Sequence, residues 1–150
     1  HCETGAQHHL IQTSAKRLQL LMQTRNEIEV VPESLPTTQY WNLLKETDVF
    51  VLPYRSIHYV ASTSGVFAEA LTLGKIPVVP EGTWMGQELA RLKLGELTFK
   101  QENVEDLVRV LGRVIENHLY YREKIVQVRR IWRAHHNPQK FVDALLAEAK

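Results

Sequence analysis

Residues 48–80 read DVFVLPYRSIHYVASTSGVFAEALTLGKIPVVP, and the fold prediction depends mainly on them. The first six form a nearly continuous apolar run, which is typical of a strand buried on both faces of a parallel sheet. Residues 64–73 then follow a helical pattern that stops at Gly74. The β-branched run Ile76–Pro80 comes next. Strand, helix and strand in this order predict a parallel βαβ unit.

Upstream of this stretch the same alternation of helices and strands is predicted. After Gly5, apolar residues at spacings of three and four predict an amphipathic helix of about 18 residues. The run Ile28–Pro32 predicts a strand that ends in a loop. Another helix is predicted to begin at an N-cap threonine. Its N-cap candidates are Thr37 and Thr38, and its inward-facing residues are Tyr40, Leu43 and Leu44.

Downstream, a helix at Met85–Lys93 and a strand at Leu97–Phe99 are predicted, and helical patterns fill the rest of the chain. These final helices are Val104–Asn117, Leu119–His135 and Pro138–Glu148, the last with Asn137 as its N-cap. The fold class is therefore α/β: a doubly wound, Rossmann-like parallel sheet with right-handed crossovers, helices on both faces and additional C-terminal helices. At 150 residues, a single domain over 1–150 is expected.

Composition excludes several classes of protein. Hydrophobic residues make up 44% of the chain and charged residues 23%, which is typical of a globular protein. A net charge of +1 lacks the basic excess of nucleic-acid binders. Cys2 is the single cysteine, so no internal disulfide forms, and no apolar run is long enough to span a bilayer. A cytoplasmic protein without a transmembrane segment is expected, with peripheral attachment at the inner membrane surface as an alternative.

The loop after Pro53 is the richest candidate for a binding site. In an open parallel sheet, ligands bind beyond the carboxyl ends of the strands. Here Ser62, Thr63, Ser64 and Gly65 lead into a helix whose first N–H groups and dipole favour an anion such as phosphate. Glu69 follows Gly65 on the same helix face and suits ribose hydroxyls. Phosphate and ribose together indicate a nucleotide, although Ser64 as a plain N-cap is the alternative explanation.

The motif KETDVFVLPY, followed by SGVFAEALTLGKIPVVP, resembles the C-terminal nucleotide-sugar-binding domain of retaining GT-B glycosyltransferases, of the group 1 or family 4-like type. That family carries Glu-x7-Glu-Ala-x3-Gly-x-Pro-Val-Val in this part of the fold. The matching residues are Glu69, Ala70, Gly74, Pro77, Val78 and Val79, with two residues instead of one between Gly74 and Pro77. The chain is thus similar to one half of a GT-B fold, and weaker similarity extends over its whole length.

The resemblance implies a nucleotide diphosphate sugar as the donor, carrying UDP or GDP, with no metal and no other cofactor. Backbone N–H groups of Ser64, Gly65 and Val66 would bind the diphosphate, Ser62 and Thr63 would line the same turn, and Glu69 would hold the ribose. The remaining implied contacts are Val31, Pro32 and Glu33 beside the base, Tyr54 at the side of the pocket, and His58 near the donor. The catalytic residues stay unknown.

Three features depart from the family pattern. Ala61 stands where the family has the first Glu of its pair, which contacts the donor sugar. Ser64 stands where the family has a glycine. The basic pair that clamps the diphosphate would precede His1, and the chain starts there without Met. We therefore expect a domain truncated at its N-terminus, which binds donor but has little activity without its N-terminal GT-B partner domain.

The leading function is therefore a hexosyltransferase-like enzyme whose full-length form transfers a sugar from the nucleotide donor to a sugar, lipid or protein acceptor. One alternative is a sugar-nucleotide epimerase-like domain. The other is a non-catalytic, degenerate transferase module, which Ala61 favours. The histidine pairs His8-His9 and His135-His136 are interpreted as solvent-facing because no ligand spacing joins them to Cys or carboxylates. The run Arg129–Arg133 suits either an anionic surface or a solvated helix face.

Overall fold

The computed structural model describes residues 5–31, 34–137, 139, 140, 143 and 146. Two compact units divide the chain, His1–Tyr40 and Trp41–Lys150. The first contains helix α1 at Gly5–Thr24, which confirms the predicted helix, whereas Leu18, Leu21 and Met22 of its expected apolar face are 39, 46 and 38% exposed. The second contains the sheet, and the loops discussed for ligand binding leave from its strands.

The strand predicted at Ile28–Pro32 is wrong for its described part, because residues 28–31 have no strand conformation. The Ile28 N–H donates to the Arg25 carbonyl at 3.3 Å, which closes a turn directly after α1. A β-strand is stabilised by hydrogen bonds to a neighbouring strand, and a local β-branched pattern does not supply that neighbour. Pro32, the last residue of the predicted strand, lies outside the described residues.

Helix α2 at Thr37–Glu46 confirms the next predicted helix but corrects its details. The helix already includes both threonines, and the Tyr40 N–H donates to the Pro36 carbonyl at 3.0 Å. Neither threonine is therefore its N-cap. Leu44 is buried as expected, whereas Leu43 is 45% exposed and does not face inward. Tyr40 is half-buried.

Three parallel strands form an open sheet in the order β1-β2-β3, with β1 at Val49–Val51, β2 at Ile76–Pro80 and β3 at Thr98–Phe99. This confirms an α/β fold with a parallel sheet. The described strands follow one another in chain order, so the sheet winds in one direction across them. The reversal of strand order that makes a sheet doubly wound, and the resulting helices on both faces, remain predictions.

Burial differs between the strands. All five residues of β2 are buried, as expected for a central strand. In β1, Phe50 is buried but Val51 is 37% exposed, so the prediction of burial on both faces is wrong there. Successive side chains point to opposite faces of a sheet, and in β1 only the face of Phe50 packs closely.

The helices after β1 agree closely with the predicted ones, apart from one addition. The addition is the short helix α3 at Ser56–Tyr59, which lies within the predicted loop. The others are α4 at Gly65–Leu73, α5 at Trp84–Arg91, α6 at Val104–Glu116 and α7 at His118–His135, with a 3-10 turn at Gly95–Leu97. Of the last predicted helix, Gln139, Lys140, Asp143 and Leu146 are helical, and the Lys140 N–H donates to Asn137 Oδ1 at 3.0 Å, which confirms Asn137 as its cap.

Helix α4 ends where the sequence indicates. Gly74 adopts a left-handed conformation, with φ of 74°, that a residue with a Cβ rarely adopts. The Gly74 N–H donates to the Leu71 carbonyl at 3.1 Å and the Lys75 N–H to the Ala70 carbonyl at 2.9 Å. These bonds satisfy the last carbonyls of the helix and direct the chain into β2.

An aromatic cluster packs two crossover helices, α4 and α5, against the C-terminal helix α7. Phe67 of α4 lies edge-on to Trp84 of α5 and to Trp132 of α7, with ring centroids 5.7 and 6.0 Å away. The two tryptophan rings lie 6.5 Å apart. Helices α4, α5 and α7 therefore share one core, and further fully buried side chains extend it: Leu71, Ile76, Met85, Leu89, Leu94, Leu97 and Ile125.

Thr83 links the end of β2 to the start of α5. Its fully buried hydroxyl donates to the Pro80 carbonyl at 2.8 Å and accepts from the Gly86 N–H at 3.1 Å.

We expect Thr83→Val, which keeps the shape but removes the hydroxyl, to lower the free energy of unfolding by about 2 kcal/mol, because a cap is lost and two buried groups lose a partner. Urea denaturation measures this loss. Thr72→Val, at an exposed position of α4, is the control, and an equal loss in both variants would contradict the role given to Thr83.

Candidate functional site

The loops after the three strands meet at the carboxyl edge of the sheet. The Ser56 N–H, after β1, donates to Gln101 Oε1, after β3, at 2.6 Å. Gly82, after β2, has φ of +73°, and a Cβ on it would lie 3.8 Å from Ser56 Cβ. Residues 45 positions apart in sequence are thus held together, and the edge is built from all three strand ends.

A crevice of about 230 Å³ opens at this edge. Its walls are mostly apolar, and its polar groups lie on the loops after β1 and β3. Arg55 Nη2 lies 3.7 Å from Glu102 Oε1 across these loops, but both side chains are largely exposed, so the ion pair contributes little stability. The lining residues are Pro53, Arg55, Pro80, Phe99, Gln101, Glu102, Asn103, Val104 and Leu107.

Hydrogen bonds fix the β3 side of the crevice. Asn103 Oδ1 accepts from the Asp106 N–H at 2.8 Å and so caps α6. The Asp106 carboxylate accepts from the Lys100 N–H at 2.8 Å and from the Arg109 guanidinium at 2.6 Å. The hydrogen bond from the Lys100 N–H lowers the pKa of the Asp106 carboxyl most, and the bond from the Arg109 side chain lowers it further. The ionised carboxylate is therefore favoured. The bonds of Asp106 to Lys100 and to Asn103 hold both ends of the loop that carries Gln101.

The beginning of α4 has a capped but open geometry. Ser64 is 5% exposed, and its Oγ accepts from the Phe67 N–H at 3.2 Å, so its side chain is the helix N-cap. Gly65 is exposed, and a Cβ on it would meet nothing within 4 Å. The N–H groups of Gly65 and Val66 belong to the first helical turn, where the helix itself supplies no acceptor. The open space beside Gly65 and the positive end of the α4 dipole together favour the binding of an anion at the start of this helix.

The other predicted residues of this loop take different positions. Glu69 is half-buried on α4, one turn after Gly65 and on the same helix face. Tyr54 stacks on Tyr59, with ring centroids 4.4 Å apart and planes inclined by 16°. His58 lies on α3, its side chain exposed, and its N–H donates to the Arg55 carbonyl at 3.1 Å. Ser62 and Thr63 are exposed just before the cap.

The residues predicted to border the base are placed only in part. Val31 belongs to the first unit and is 43% exposed, in a segment that is not a strand. Pro32 and Glu33 lie outside the described residues. A role for these three beside a base therefore stays a prediction, and its premise of a strand ending at Val31 is wrong.

The crevice is lined by residues that were not among the ligand contacts predicted from the sequence. Among the residues named for the site from the sequence, none is in the crevice lining, whereas Arg55, Gln101 and Asn103 are. A signal for them was present, because the polar run Lys100–Asn103 follows a predicted strand just as Tyr54–His58 does. Ligands of parallel sheets bind beyond such strand ends.

Two further observations concern the described part of the chain. It contains no group of three or more His, Cys, Asp or Glu side chains arranged to hold a metal ion. None of the helices described there is both long and apolar enough to cross a membrane.

Comparisons with protein-family models, with curated proteins and with solved structures find no match to this chain. The resemblance to GT-B glycosyltransferases therefore rests on the sequence motif, and the geometry at the start of α4 is the structural observation to set beside it.

Proposed function

We propose that this chain is the donor-binding domain of a retaining GT-B glycosyltransferase and that it binds a nucleotide diphosphate sugar. The observation that carries the proposal is the beginning of α4. There a buried cap, Ser64, is followed by exposed Gly65 with free space beside it, in a helix that leads into the central strand. The full-length enzyme would transfer the sugar to a sugar, lipid or protein acceptor.

The residues at this point have separate tasks in the proposal. The N–H groups of Gly65 and Val66, together with the helix dipole, bind the diphosphate and stabilise the charge that develops as it departs from the sugar. Glu69, four residues after Gly65, accepts hydrogen bonds from the ribose hydroxyls. The crevice lies at the carboxyl edge of the same sheet, and its apolar walls suit an uncharged part of the donor.

Ala61 supports one alternative, a degenerate module that binds without catalysis. Its methyl group cannot accept the sugar hydroxyl bonds that a carboxylate at this position would accept. Formation of a glycosylated acceptor by the full-length protein would exclude this alternative. A sugar-nucleotide epimerase would instead convert the donor with no acceptor present, and analysis of the nucleotide sugars after incubation separates that activity from transfer.

Two substitutions test the binding residues. Gly65→Pro removes one N–H at the first helical position, where proline is well tolerated, so α4 is expected to persist. Glu69→Ala removes the ribose acceptor. We expect each to weaken binding of UDP or GDP by roughly tenfold or more, because hydrogen bonds to a charged group are lost. Titration calorimetry measures the affinities.

Glu116→Ala is the matched control for Glu69→Ala, because Glu116 is exposed at the far end of α6. It should leave nucleotide affinity unchanged, and circular dichroism should show that all three variants are folded. Undiminished binding in both Gly65→Pro and Glu69→Ala would refute the proposed site, and failure of the unmodified chain to bind either nucleotide would refute the proposed function.

A further inference from the structure

We propose that the amino edge of the sheet carries a second anion site, which binds a phosphate ion or the phosphate group of a phosphomonoester. The site is a cavity of about 210 Å³ with a largely polar lining, called the basic cavity below. It is separate from the proposed donor site, and it does not depend on the proposed function. Its polar and charged lining residues are Asp48, Lys75, His118, Arg122 and Arg129, and Gly74 also lines it.

The topology places this cavity at the edge opposite the crevice. Asp48 directly precedes β1, and Gly74 and Lys75 directly precede β2, so both segments lie at the amino ends of parallel strands. Helix α7 closes the cavity with four residues spaced by four, four and three positions. Such spacing places side chains on one face of a helix. These four are His118, Arg122, Val126 and Arg129.

Arg129 provides the observation that points to a ligand. Its Nε is buried and has no hydrogen-bond partner among the described atoms. Buried donors in proteins are almost always paired, and an unpaired one is costly. Gly74 admits this side chain, since a Cβ at Gly74 would lie 3.2 Å from Arg129 Cδ. An anion in the cavity would supply an acceptor for the guanidinium.

The charges of the cavity also favour an anion. Lys75 is largely shielded from solvent, and its ammonium group is oriented by the Lys45 carbonyl at 2.5 Å and by Asp48 Oδ1 at 3.8 Å. Asp48 is the one carboxylate among the described lining residues, and it is mostly exposed. Three cationic side chains share the lining with this carboxylate, and His118 is also present. The three are Lys75, Arg122 and Arg129. A small cavity with this excess of cations attracts negative charge.

Size and donor chemistry indicate the class of ligand. Guanidinium groups bind phosphate oxygens through paired, directional hydrogen bonds. The cavity of about 210 Å³ is smaller than the roughly 300 Å³ at which pockets for drug-sized molecules begin, so it suits a single phosphate group rather than a whole nucleotide. The negative end of the α4 dipole, at its C-terminus, would by itself attract Arg129. It does not explain why Arg122 and His118 line the same cavity.

Titration of the 150-residue chain with sodium phosphate tests the proposal, with chloride adjusted to hold ionic strength constant. Proton–nitrogen correlation spectra report where phosphate binds. We expect saturable shifts of the Gly74 and Lys75 amides. Arg122→Gln should weaken phosphate binding by roughly tenfold, since charge-assisted bonds are lost. Arg122 is exposed, so the variant should fold, as circular dichroism would show.

Arg133→Gln is the matched control, because it removes the same charge from an exposed position of the same helix and lies outside the basic cavity. It should leave phosphate affinity within about twofold of the unmodified chain, because an exposed charge about three helical turns from Arg122 is largely screened. Absence of shifts at Gly74 and Lys75, or equal weakening by Arg133→Gln and Arg122→Gln, would overturn the proposal.

A parallel titration with glycerol phosphate identifies the source of the phosphate group. Tighter binding than that of inorganic phosphate supports a phosphomonoester, and equal or weaker binding supports the free ion. Arg122→Gln should leave the UDP affinity unchanged, which separates this site from the donor site. Loss of UDP and phosphate binding together in that variant would show one shared site and would overturn the inference of a second one.

Discussion

Replacement of Phe67 with alanine should lower the free energy of unfolding by about 3 to 5 kcal/mol, the usual cost of truncating a fully buried aromatic side chain. The ring joins α4 to Trp84 of α5 and Trp132 of α7 at edge-on distances of 5.7 and 6.0 Å. Its removal leaves a cavity among three helices and also removes both aromatic contacts. Urea denaturation followed by tryptophan fluorescence and circular dichroism measures the change.

Ile115→Ala provides the control for this truncation. Ile115 is 71% exposed on α6, so we expect its loss to cost no more than about 0.5 kcal/mol. Equal destabilisation by the two substitutions would contradict the location of the core between α4, α5 and α7.

The second large effect is expected for Gly86→Val, which should cost about 3 kcal/mol because it overpacks the junction of α5 with β2. A Cβ on Gly86 would lie 3.0 Å from the Pro80 carbonyl oxygen, 3.5 Å from Thr83 Oγ1 and 3.6 Å from Thr98 Cγ2. The nearest of these atoms is backbone of the central strand, so α5 itself would have to move. Urea denaturation of the variant measures the loss.

Gly112→Val is the matched control, because a Cβ on Gly112 of α6 would meet nothing within 4 Å. Glycine and valine both disfavour helix to a similar degree, so this variant should change the free energy of unfolding by less than about 1 kcal/mol. If Gly86→Val were as mild as Gly112→Val, the close approach of α5 to β2 would be refuted.

The sequence predicted the parts of the fold that depend on local pattern. Helix α4 between β1 and β2 could be predicted because its periodicity, its cap at Ser64 and its end at Gly74 agree with one another. The prediction of a strand at residues 28–31 was wrong because a strand requires a hydrogen-bonding partner that is distant in sequence, and a local pattern does not show that partner. The exposure of Val51 and Leu43 could not be predicted for the same reason, because it depends on tertiary packing between residues distant in sequence.

The candidate sites show the same limit. The beginning of α4 could be proposed from residues 62–69 because all of its groups are contiguous in sequence. The crevice depends on Ser56 meeting Gln101, and the basic cavity depends on Gly74 meeting Arg129. No local pattern joins residues so far apart, so both became visible only when the strands and α7 were placed.

The most direct test of the proposed donor site is a titration of the isotope-labelled chain with UDP and with GDP, followed through its backbone amides. We expect saturable shifts centred on Gly65 and Val66, with little change at Gly74 and Lys75. We also expect Glu69→Ala to weaken this response and Glu116→Ala to leave it unchanged. Shifts centred on the basic cavity instead, or no shift at Gly65 and Val66 with either nucleotide, would contradict the proposed donor site.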